Sequence, residues 1–182
     1  MFCHTFDGPM PVAPLKVLLY PDPRLRKTAE PVTIFDDELK DLVARMFVLM
    51  REEQGVGLAA PQVGVSLRLF VANHTGKPED DRVAINPSLT DADGTEAGEE
   101  GCLSLPKIRA DIDRFETLTL TAQDVNGRAY EVTATGFEAR VWQHEFDHLN
   151  GVMIIDRMPF SSKMAARKQL RQLEDDAKPS KR

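Results

Sequence analysis

The sequence predicts an α+β fold, in which a helix follows a β-hairpin and a further helix lies at the C-terminus. Two apolar, β-branched runs, residues 117–122 and 129–135, flank an Asn126-Gly127 pair, the strongest short signal for a β-hairpin. A helical pattern follows at about residues 136–150, and another ends near Glu53. Because strands follow one another instead of alternating strictly with helices, the pattern favours α+β over α/β.

Composition limits the class of protein. A chain of 182 residues fits one domain that needs no covalent staple. Its formal net charge of -6 argues against a general nucleic-acid binder, and no specific DNA partner is expected. Only two cysteines occur, Cys3 and Cys102, which is too few for a disulfide framework and favours a reducing compartment.

The ends of the chain are expected to differ from its body. Residues 1–14 are predicted to be a flexible N-terminal extension, and their proline content and Asp7 do not fit a signal peptide. No apolar run approaches the roughly 20 residues that span a bilayer, so no membrane partner is expected. The folded domain is placed at residues 15–160, a C-terminal helix and tail at 161–182, and the protein in the cytoplasm.

The first half of the domain contains three predicted strands and a long helix. Residues 15–20 read as a short strand that Pro21 would end, because proline cannot continue a ladder. Asp36 can cap a helix that runs to about Glu53. A buried strand is expected at residues 67–72, and after a polar loop at 73–82 another begins around residues 83–86. The helix places these apolar residues on one face: Leu39, Leu42, Val43, Met46, Phe47 and Met50.

Two helices complete the prediction. The helix of about residues 136–150 follows the hairpin, and Gly151 supplies its C-terminal cap. Beyond Pro159 a last helix is expected from about residue 161 to residue 177. Lys163, Arg167 and Arg171 lie four residues apart along this helix, which by itself indicates a solvated face.

The most informative motif is the run from His144 through Glu145 to His148. Residues four apart on a helix lie one turn apart and about 40° around its axis, so both imidazoles can bind one metal ion. Glu145 can reach a water on that ion without being a ligand itself. The pattern predicts a hydrolytic metal site, and the alternative is two ordinary histidines among solvated charges.

The third ligand separates the classes of hydrolase. A metzincin protease would place a histidine where this chain has Ile154, so that class fails. A thermolysin-like protease would need a downstream acid, and the available one is Glu174 in the charged terminal helix. Cys102 fits better, because a thiolate suits a borderline metal and the site keeps one position for water. A buried apolar thiol is its alternative role.

A glycine-rich turn at residues 55–62 is a further candidate for the site. Its small residues allow another backbone to approach closely, and the Gln62 amide can donate to an oxygen that gains negative charge. The turn lacks the Lys-Ser/Thr of a phosphate loop. It can equally be a tight helix-to-strand turn with Gln62 on the surface.

These three stretches, GVGLAAPQ at residues 55–62, EGCLS at 100–104 and QHEFDHLNG at 143–151, resemble the motifs of the peptide deformylases. The resemblance extends from about Leu15 to about Met158. It implies an α+β fold with antiparallel β-sheets around a central metal-binding helix, and removal of the formyl group from the N-terminal formylmethionine of newly made proteins. An H-E-x-x-H zinc peptidase and a structural metal module remain the alternatives. The latter would need a fourth ligand such as His4 or His74.

The resemblance also implies roles for individual residues. Cys102, His144 and His148 would bind the metal, and Glu145 would transfer a proton. The Gln62 amide and the Leu103 N–H would hold the formyl oxygen. The substrate would be bound by Gly55, Val56, Gly57, Phe137 and Val141, with Glu100 and Arg140 near the rim of the pocket. Arg109 matches a position near the site, and we expect Asp147 to orient an arginine or a ligand histidine.

The cofactor and partners follow from the same resemblance. It implies one divalent metal, Fe²⁺ in the cell, with Ni²⁺, Co²⁺ or Zn²⁺ as substitutes, and the ligand set does not choose among them. The expected partners are N-formylmethionyl nascent peptides. The C-terminal helix could also dock on the ribosome through its basic residues, Lys163, Arg167, Lys168 and Arg171.

Overall fold

The computed structural model describes residues 14–178 and has the predicted α+β architecture. Four α-helices lie within these residues: α1 (Asp37–Glu52), α2 (Gly136–Leu149), α3 (Ile154–Arg157) and α4 (Phe160–Asp176). Seven strands accompany them: β1 (Gly57–Ala59), β2 (Leu69–Ala72), β3 (Arg82–Asp93), β4 (Glu96–Cys102), β5 (Leu105–Arg114), β6 (Thr117–Gln123) and β7 (Ala129–Thr135). Between residues 14 and 178, no helix is long and apolar enough to cross a membrane.

The strands form two separate antiparallel sheets. The larger has five strands in the order β1-β2-β3-β6-β7, and the smaller consists of β4 and β5 alone. The ladders join each strand only to neighbours in its own sheet. The position of the β4–β5 hairpin in the fold therefore depends on its side-chain contacts.

Helices α1 and α2 cover opposite faces of the five-stranded sheet. Successive residues of a strand point to opposite faces, so Leu69 and Val71 pack with α1 while Phe70 and Ala72 pack with α2. Trp142 of α2 is 1% exposed and lies in this second layer. The site-bearing helix is thus fixed by a packed core on the side away from its histidines.

The smaller sheet packs on α3 and α4. The inward residues of β5 alternate with exposed ones and join a third apolar cluster with α3 and with Ala166 of α4. Tyr20 donates its hydroxyl to Glu174 Oε1 at 2.7 Å, which ties α4 to the N-terminal segment. The C-terminal helix therefore lies against the domain along its apolar side.

Most of the elements predicted from the sequence are confirmed. Helix α1 has Asp36 as its cap, because the Asp36 carboxylate accepts the Leu39 N–H at 2.9 Å. Strands β6 and β7 pair as the predicted hairpin, and Gly127 has a φ of 78° in its turn. Helices α2 and α4 lie within one or two residues of the predicted bounds, and Gly151 follows α2 with a φ of 70°.

Two predictions about strands were wrong. Residues 15–20 form no strand, because Leu18 donates its N–H to the Gln62 carbonyl and Tyr20 donates to the Ser104 carbonyl, in two different loops. Strand β3 runs on to Asp93 through a shift in register instead of ending near Asn86. The hairpin of β4 and β5 was not predicted. The flexible extension proposed for residues 1–14, with Cys3 and His4, lies almost entirely outside the described residues.

Candidate metal centre

The three candidate ligands meet between the end of β4 and the C-terminal half of α2. The Cys102 Sγ lies 3.3 Å from His148 Nε2, which lies 3.3 Å from His144 Nε2. The ligand atoms of all three residues are within 4.8 Å of one another. Cys102 is buried as a free cysteine, so it is able to act as a thiolate ligand. The structure therefore brings together residues that are 46 positions apart in the chain.

This donor set fits a divalent first-row metal. One sulfur and two imidazole nitrogens direct lone pairs at a common point inside the protein, and such atoms are normally brought together by a cation. Within the described part of the chain, no further histidine, cysteine or carboxylate joins this group. The arrangement suits a site that keeps a position for water better than a closed structural site.

The other candidate ligands lie elsewhere. His74 faces Glu138, with 3.7 Å between Nδ1 and Oε1, and His4 is outside the described residues. Glu174, the acid that a thermolysin-like site would need, accepts the Tyr20 hydroxyl on α4. Cys102 is thus the third ligand that the geometry supports.

A buried carboxylate supports one of the ligand histidines. Glu100 Oε2 lies 2.9 Å from His144 Nδ1, so the proton sits between these atoms and the Nε2 lone pair is directed at the metal centre. Arg114 binds both oxygens of Glu100, at 2.8 and 3.0 Å, and Arg140 adds a further bond at 3.0 Å. The charge of this carboxylate is fully paired.

A network of charged hydrogen bonds extends from Glu100 to the protein surface. Arg114 Nη1 donates to Asp147 Oδ2 at 2.7 Å, and Arg157 donates to both oxygens of Asp147. Asp147 therefore orients two arginines, and it reaches the ligand histidine only through Arg114 and Glu100. These contacts match the part of the expectation in which Asp147 orients an arginine.

The titration properties of the centre follow from burial and charge. Burial alone would raise the pKa of Glu100, but hydrogen bonds from His144 and Arg114 outweigh it and lower that pKa to about 2. Burial opposes charge on His144, yet its contacts with Cys102 and Glu100 raise its pKa well above the usual value. Burial, followed by the charge of His144, lowers the pKa of His148. The neutral form of His148 is the form that binds a metal.

Glu145 occupies a different environment. It is 4% exposed, and its Oε2 has no hydrogen-bond partner among residues 14–178. Burial is the main reason that its pKa is raised to about 7. A Cβ at Gly57 would overlap Glu145 Oε1 and lie 2.7 Å from Glu145 Cδ, so the carboxylate occupies space that a side chain there would need. This carboxylate can exchange a proton near neutral pH.

Gln62 presents its amide nitrogen to the centre. Its Oε1 accepts the Ala59 N–H at 2.8 Å, which fixes the orientation of the amide. Its Nε2 then lies 3.7 Å from Cys102 Sγ and 3.2 Å from Ser104 Oγ. Leu103 lies in the turn between β4 and β5, directly after the cysteine. Both predicted donors to the formyl oxygen thus border the ligand group.

A cavity of about 560 Å³ opens beside the ligands and is bordered by β1, α2 and the β4–β5 hairpin. Val56 and Phe137 are 38% and 53% exposed and form part of its mouth. Glu100 and Arg140 also border it but are buried and bonded to each other. All seven predicted substrate-binding residues line this cavity: Gly55, Val56, Gly57, Glu100, Phe137, Arg140 and Val141. Their role with substrate stays a prediction.

Arg114 is a neighbour of the site that was not found from the sequence, whereas the resemblance did place Arg109 near it. Arg114 is buried at the end of β5, where the alternation of Ile108, Ala110 and Ile112 predicts an inward position for it. Arg109 borders the cavity and pairs with Glu99 at 3.1 Å in an exposed position. Interpreting the alternation of residues 108–112 as a strand would have identified Arg114 as an inward-facing residue.

Comparisons with known proteins agree with this geometry. The family model described as "Polypeptide deformylase" matches residues 14–164. The peptide deformylase of Thermotoga sp. (strain RQ2) is 46% identical over 156 residues, which cover 85% of this chain and 93% of that protein. The Arabidopsis thaliana protein named "Peptide deformylase 1B, chloroplastic/mitochondrial" is 40% identical over 164 residues, which cover 88% of this chain and 60% of that protein. The structure of Plasmodium falciparum peptide deformylase superimposes with a TM-score of 0.86 at 41% identity and covers 88% of this chain and 96% of that one.

Replacing the carboxylate behind His144 should weaken metal binding. Glu100→Gln keeps an oxygen near His144 but removes one of the two buried carboxylates that pair with Arg114. Loss of a group that supports a ligand histidine typically costs about 10-fold to 100-fold in metal affinity. Competition between the protein and a chelator for Zn²⁺ measures the change. Glu99→Gln is the matched control, because Glu99 is the preceding residue on the strand and its side chain is 61% exposed. Equal affinities of the two variants would contradict this role of Glu100.

Proposed function

We infer the chemistry of the site from its geometry and from one premise: the chain belongs to the peptide deformylase family. It is a metallohydrolase that removes N-formyl groups from nascent peptides. The observation that carries this conclusion is the convergence of Cys102, His144 and His148 beside a cavity that Glu145 also lines. The finer roles below are our proposal.

Cys102, His144 and His148 hold the metal in this proposal. A bound divalent ion supplies Lewis acidity, which makes water a stronger nucleophile near neutral pH and polarises a carbonyl. The Cys-His-His set is compatible with several first-row metals, and we propose Fe²⁺ as the ion in the cell, with Ni²⁺, Co²⁺ and Zn²⁺ as substitutes.

Glu145 moves the proton. Its carboxylate accepts a proton from the attacking water and gives it to the amine that leaves when the formyl C–N bond breaks. Formate and a free N-terminus are the products. The raised pKa of Glu145 supports this role, because an acid–base group works best when its pKa is near the working pH.

Gln62 and Leu103 stabilise the formyl oxygen as it gains negative charge. The Ala59 N–H holds the Gln62 amide with its nitrogen toward the centre, so no reorientation is needed during the reaction. Leu103 lies in the turn that follows the cysteine and lines the same cavity. Loss of one such donor typically costs about 100-fold to 1,000-fold in turnover.

The substrate is an extended formylmethionyl peptide in this proposal. The backbone around Gly55, Val56 and Gly57 pairs with it as a sheet edge pairs with an added strand. The methionine side chain enters the cavity near Val141 and Phe137. The cytoplasm is the proposed location, which suits a thiolate ligand that needs reducing conditions. The Arabidopsis relative is named as an organellar protein.

We also propose that α4 docks on the ribosome. Its four basic residues are exposed, whereas Ala166 and the partly buried Leu170 and Leu173 face the domain. A cationic stripe on the outer side of a helix is suited to RNA phosphates. The basic residues are Lys163, Arg167, Lys168 and Arg171.

Formate release from formyl-Met-Ala-Ser tests the reaction directly. Protein purified without oxygen and loaded with Fe²⁺ or Ni²⁺ should release formate, and Glu145→Gln should lower turnover by about 100-fold or more while the metal content stays the same. Absence of formate from the fully loaded protein would refute the proposal. Cleavage of an internal peptide bond would instead support a peptidase.

Gly57→Ala should lower turnover through Glu145. The added Cβ would overlap the carboxylate, so Glu145 must move. Turnover should fall by an amount similar to that of Glu145→Gln, about 100-fold. In a double-mutant cycle, Gly57→Ala should cost little further in the Glu145→Gln background, because residues that act as a unit are not additive. Additive losses would show that Gly57 acts independently of Glu145.

Cosedimentation with 70S ribosomes tests the docking of α4. A Lys163→Glu, Arg167→Glu, Arg171→Glu variant should lose binding, and binding of the wild type should weaken as salt rises, because contacts to phosphates release counterions. A Gln169→Glu, Gln172→Glu variant changes exposed residues of the same helix and should still bind. Equal cosedimentation of the two variants would contradict docking through the basic stripe.

A further inference from the structure

Three residues of α2 face three residues of β4 in regular succession. Arg140, His144 and His148 are four positions apart on one side of the helix, and Gly98, Glu100 and Cys102 are two positions apart on one side of the strand. The contacts join Arg140 to Gly98, His144 to Glu100 and His148 to Cys102.

This succession is possible because the two repeats have nearly equal lengths. Four helical residues rise about 6.0 Å and two strand residues about 6.6 Å. Over three pairs the difference in rise between helix and strand adds up to roughly 1 Å. Side chains can adjust to a displacement of this size. The last pair contributes two of the metal ligands. Their meeting therefore depends on the register set by the earlier pairs.

Arg140 makes the first pair and is the most firmly held. Its side chain is 8% exposed. Nη1 donates to the carbonyls of Gly98 at 3.2 Å and Ile112 at 2.7 Å, and Nη2 donates to the carbonyl of Glu96 at 2.6 Å. One guanidinium thus binds the backbones of both β4 and β5, and it also binds the Glu100 carboxylate at 3.0 Å.

Gly98 allows this contact. A Cβ at that position would lie 2.9 Å from Arg140 Cζ and 2.9 Å from Nη2, so the guanidinium lies against the bare backbone. Contacts shorter than 3.0 Å do not occur for real Cβ atoms, and any side chain at residue 98 would displace the end of Arg140. Gly98 of β4 therefore leaves the space that the Arg140 side chain of α2 occupies.

The register matters because the β4–β5 sheet makes no ladder with the five-stranded sheet. A shift of β4 by one residue would turn Cys102 to the opposite face, and a shift by two would move it about 6.6 Å along α2. We propose that Arg140 is a positioning residue that fixes the register of β4 on α2 and so places the Cys102 thiolate beside the two histidines. This inference rests on the metal site assigned above and replaces the substrate-binding role first predicted for Arg140.

The two roles predict different kinetic effects. If Arg140 bound substrate, its replacement would raise KM and leave the metal site unchanged. As a positioning residue, Arg140 affects the thiolate-to-metal bond, so its replacement speeds metal loss and lowers kcat with little change in KM.

Cobalt-substituted protein provides the test, because thiolate ligation of Co²⁺ produces a near-ultraviolet charge-transfer band. We would compare Arg140→Lys and Gly98→Ala with the wild type by this band, by the rate of Co²⁺ loss to a chelator, and by kcat and KM. Arg140→Lys keeps the charge but cannot reach all three carbonyls. Gly98→Ala keeps Arg140 and displaces its guanidinium, which is the flexible end of that side chain.

Both variants should show a weakened or shifted band and metal loss about 10-fold to 100-fold faster, in the range seen when groups that support ligands are removed. Glu96→Ala is the matched control. It changes an exposed side chain on the same strand and keeps the carbonyl that Arg140 binds, so its band and metal loss should equal those of the wild type.

Wild-type bands and rates of metal loss in both variants, with a raised KM for Arg140→Lys, would overturn the inference and restore the substrate-binding role. If Arg140→Lys fails to fold, as thermal unfolding would reveal, Gly98→Ala decides by the same readouts. A wild-type protein without the thiolate band would refute the metal site itself, which distinguishes failure of the proposed function from failure of the positioning role.

Discussion

The buried carboxylate of Glu100 is the interaction on which the site depends. It binds a ligand histidine and Arg140 from α2, and Arg114 from β5. One anion thus joins the helix to the hairpin that carries the cysteine. Removal of one partner from a buried ion pair typically costs about 3–5 kcal/mol, because the remaining charge is left uncompensated. The arrangement therefore resists small displacements, and it fixes the tautomer of His144 that directs Nε2 at the metal.

The parts of the fold that were predicted from the sequence are those with strong local signals. The Asn126-Gly127 turn identifies the β6–β7 hairpin, and the Asp36 cap identifies α1. Strand β4 has no such signal, since Gly98, Gly101 and its glutamates disfavour a strand in isolation. Its conformation depends on pairing with β5, which follows after a turn without a strong sequence signal, and on Arg140, which lies 42 positions from Gly98 in the chain. Residues 15–20 show the opposite case. Their composition is typical of a strand, but their backbone N–H groups donate to two separate segments of the chain.

The same distinction applies to the site. The spacing of His144 and His148 predicts a shared metal because a helix fixes their geometry, and the chemistry of a thiolate ligand favoured Cys102 as the third ligand. The closeness of Gly57 to Glu145 could not be derived in this way, because it results from the packing of α2 against β1. Arg114 is intermediate: the alternation of β5 predicts that it points inward, but only the fold shows that it pairs with Glu100 and Asp147.

Two buried carboxylates of this centre have opposite properties although both lie next to His144. Glu100 binds His144 and Arg114, which lower its pKa to about 2, whereas Glu145 receives no hydrogen bond at Oε2 from residues 14–178 and its pKa is about 7. Burial raises both pKa values, so the difference comes from the distribution of hydrogen-bond donors. Glu100 stays charged and can hold the ligand in place throughout a reaction. Glu145 can gain and lose a proton because the fold gives the arginines to its neighbour, and this separation assigns the structural and the acid–base work to different carboxylates.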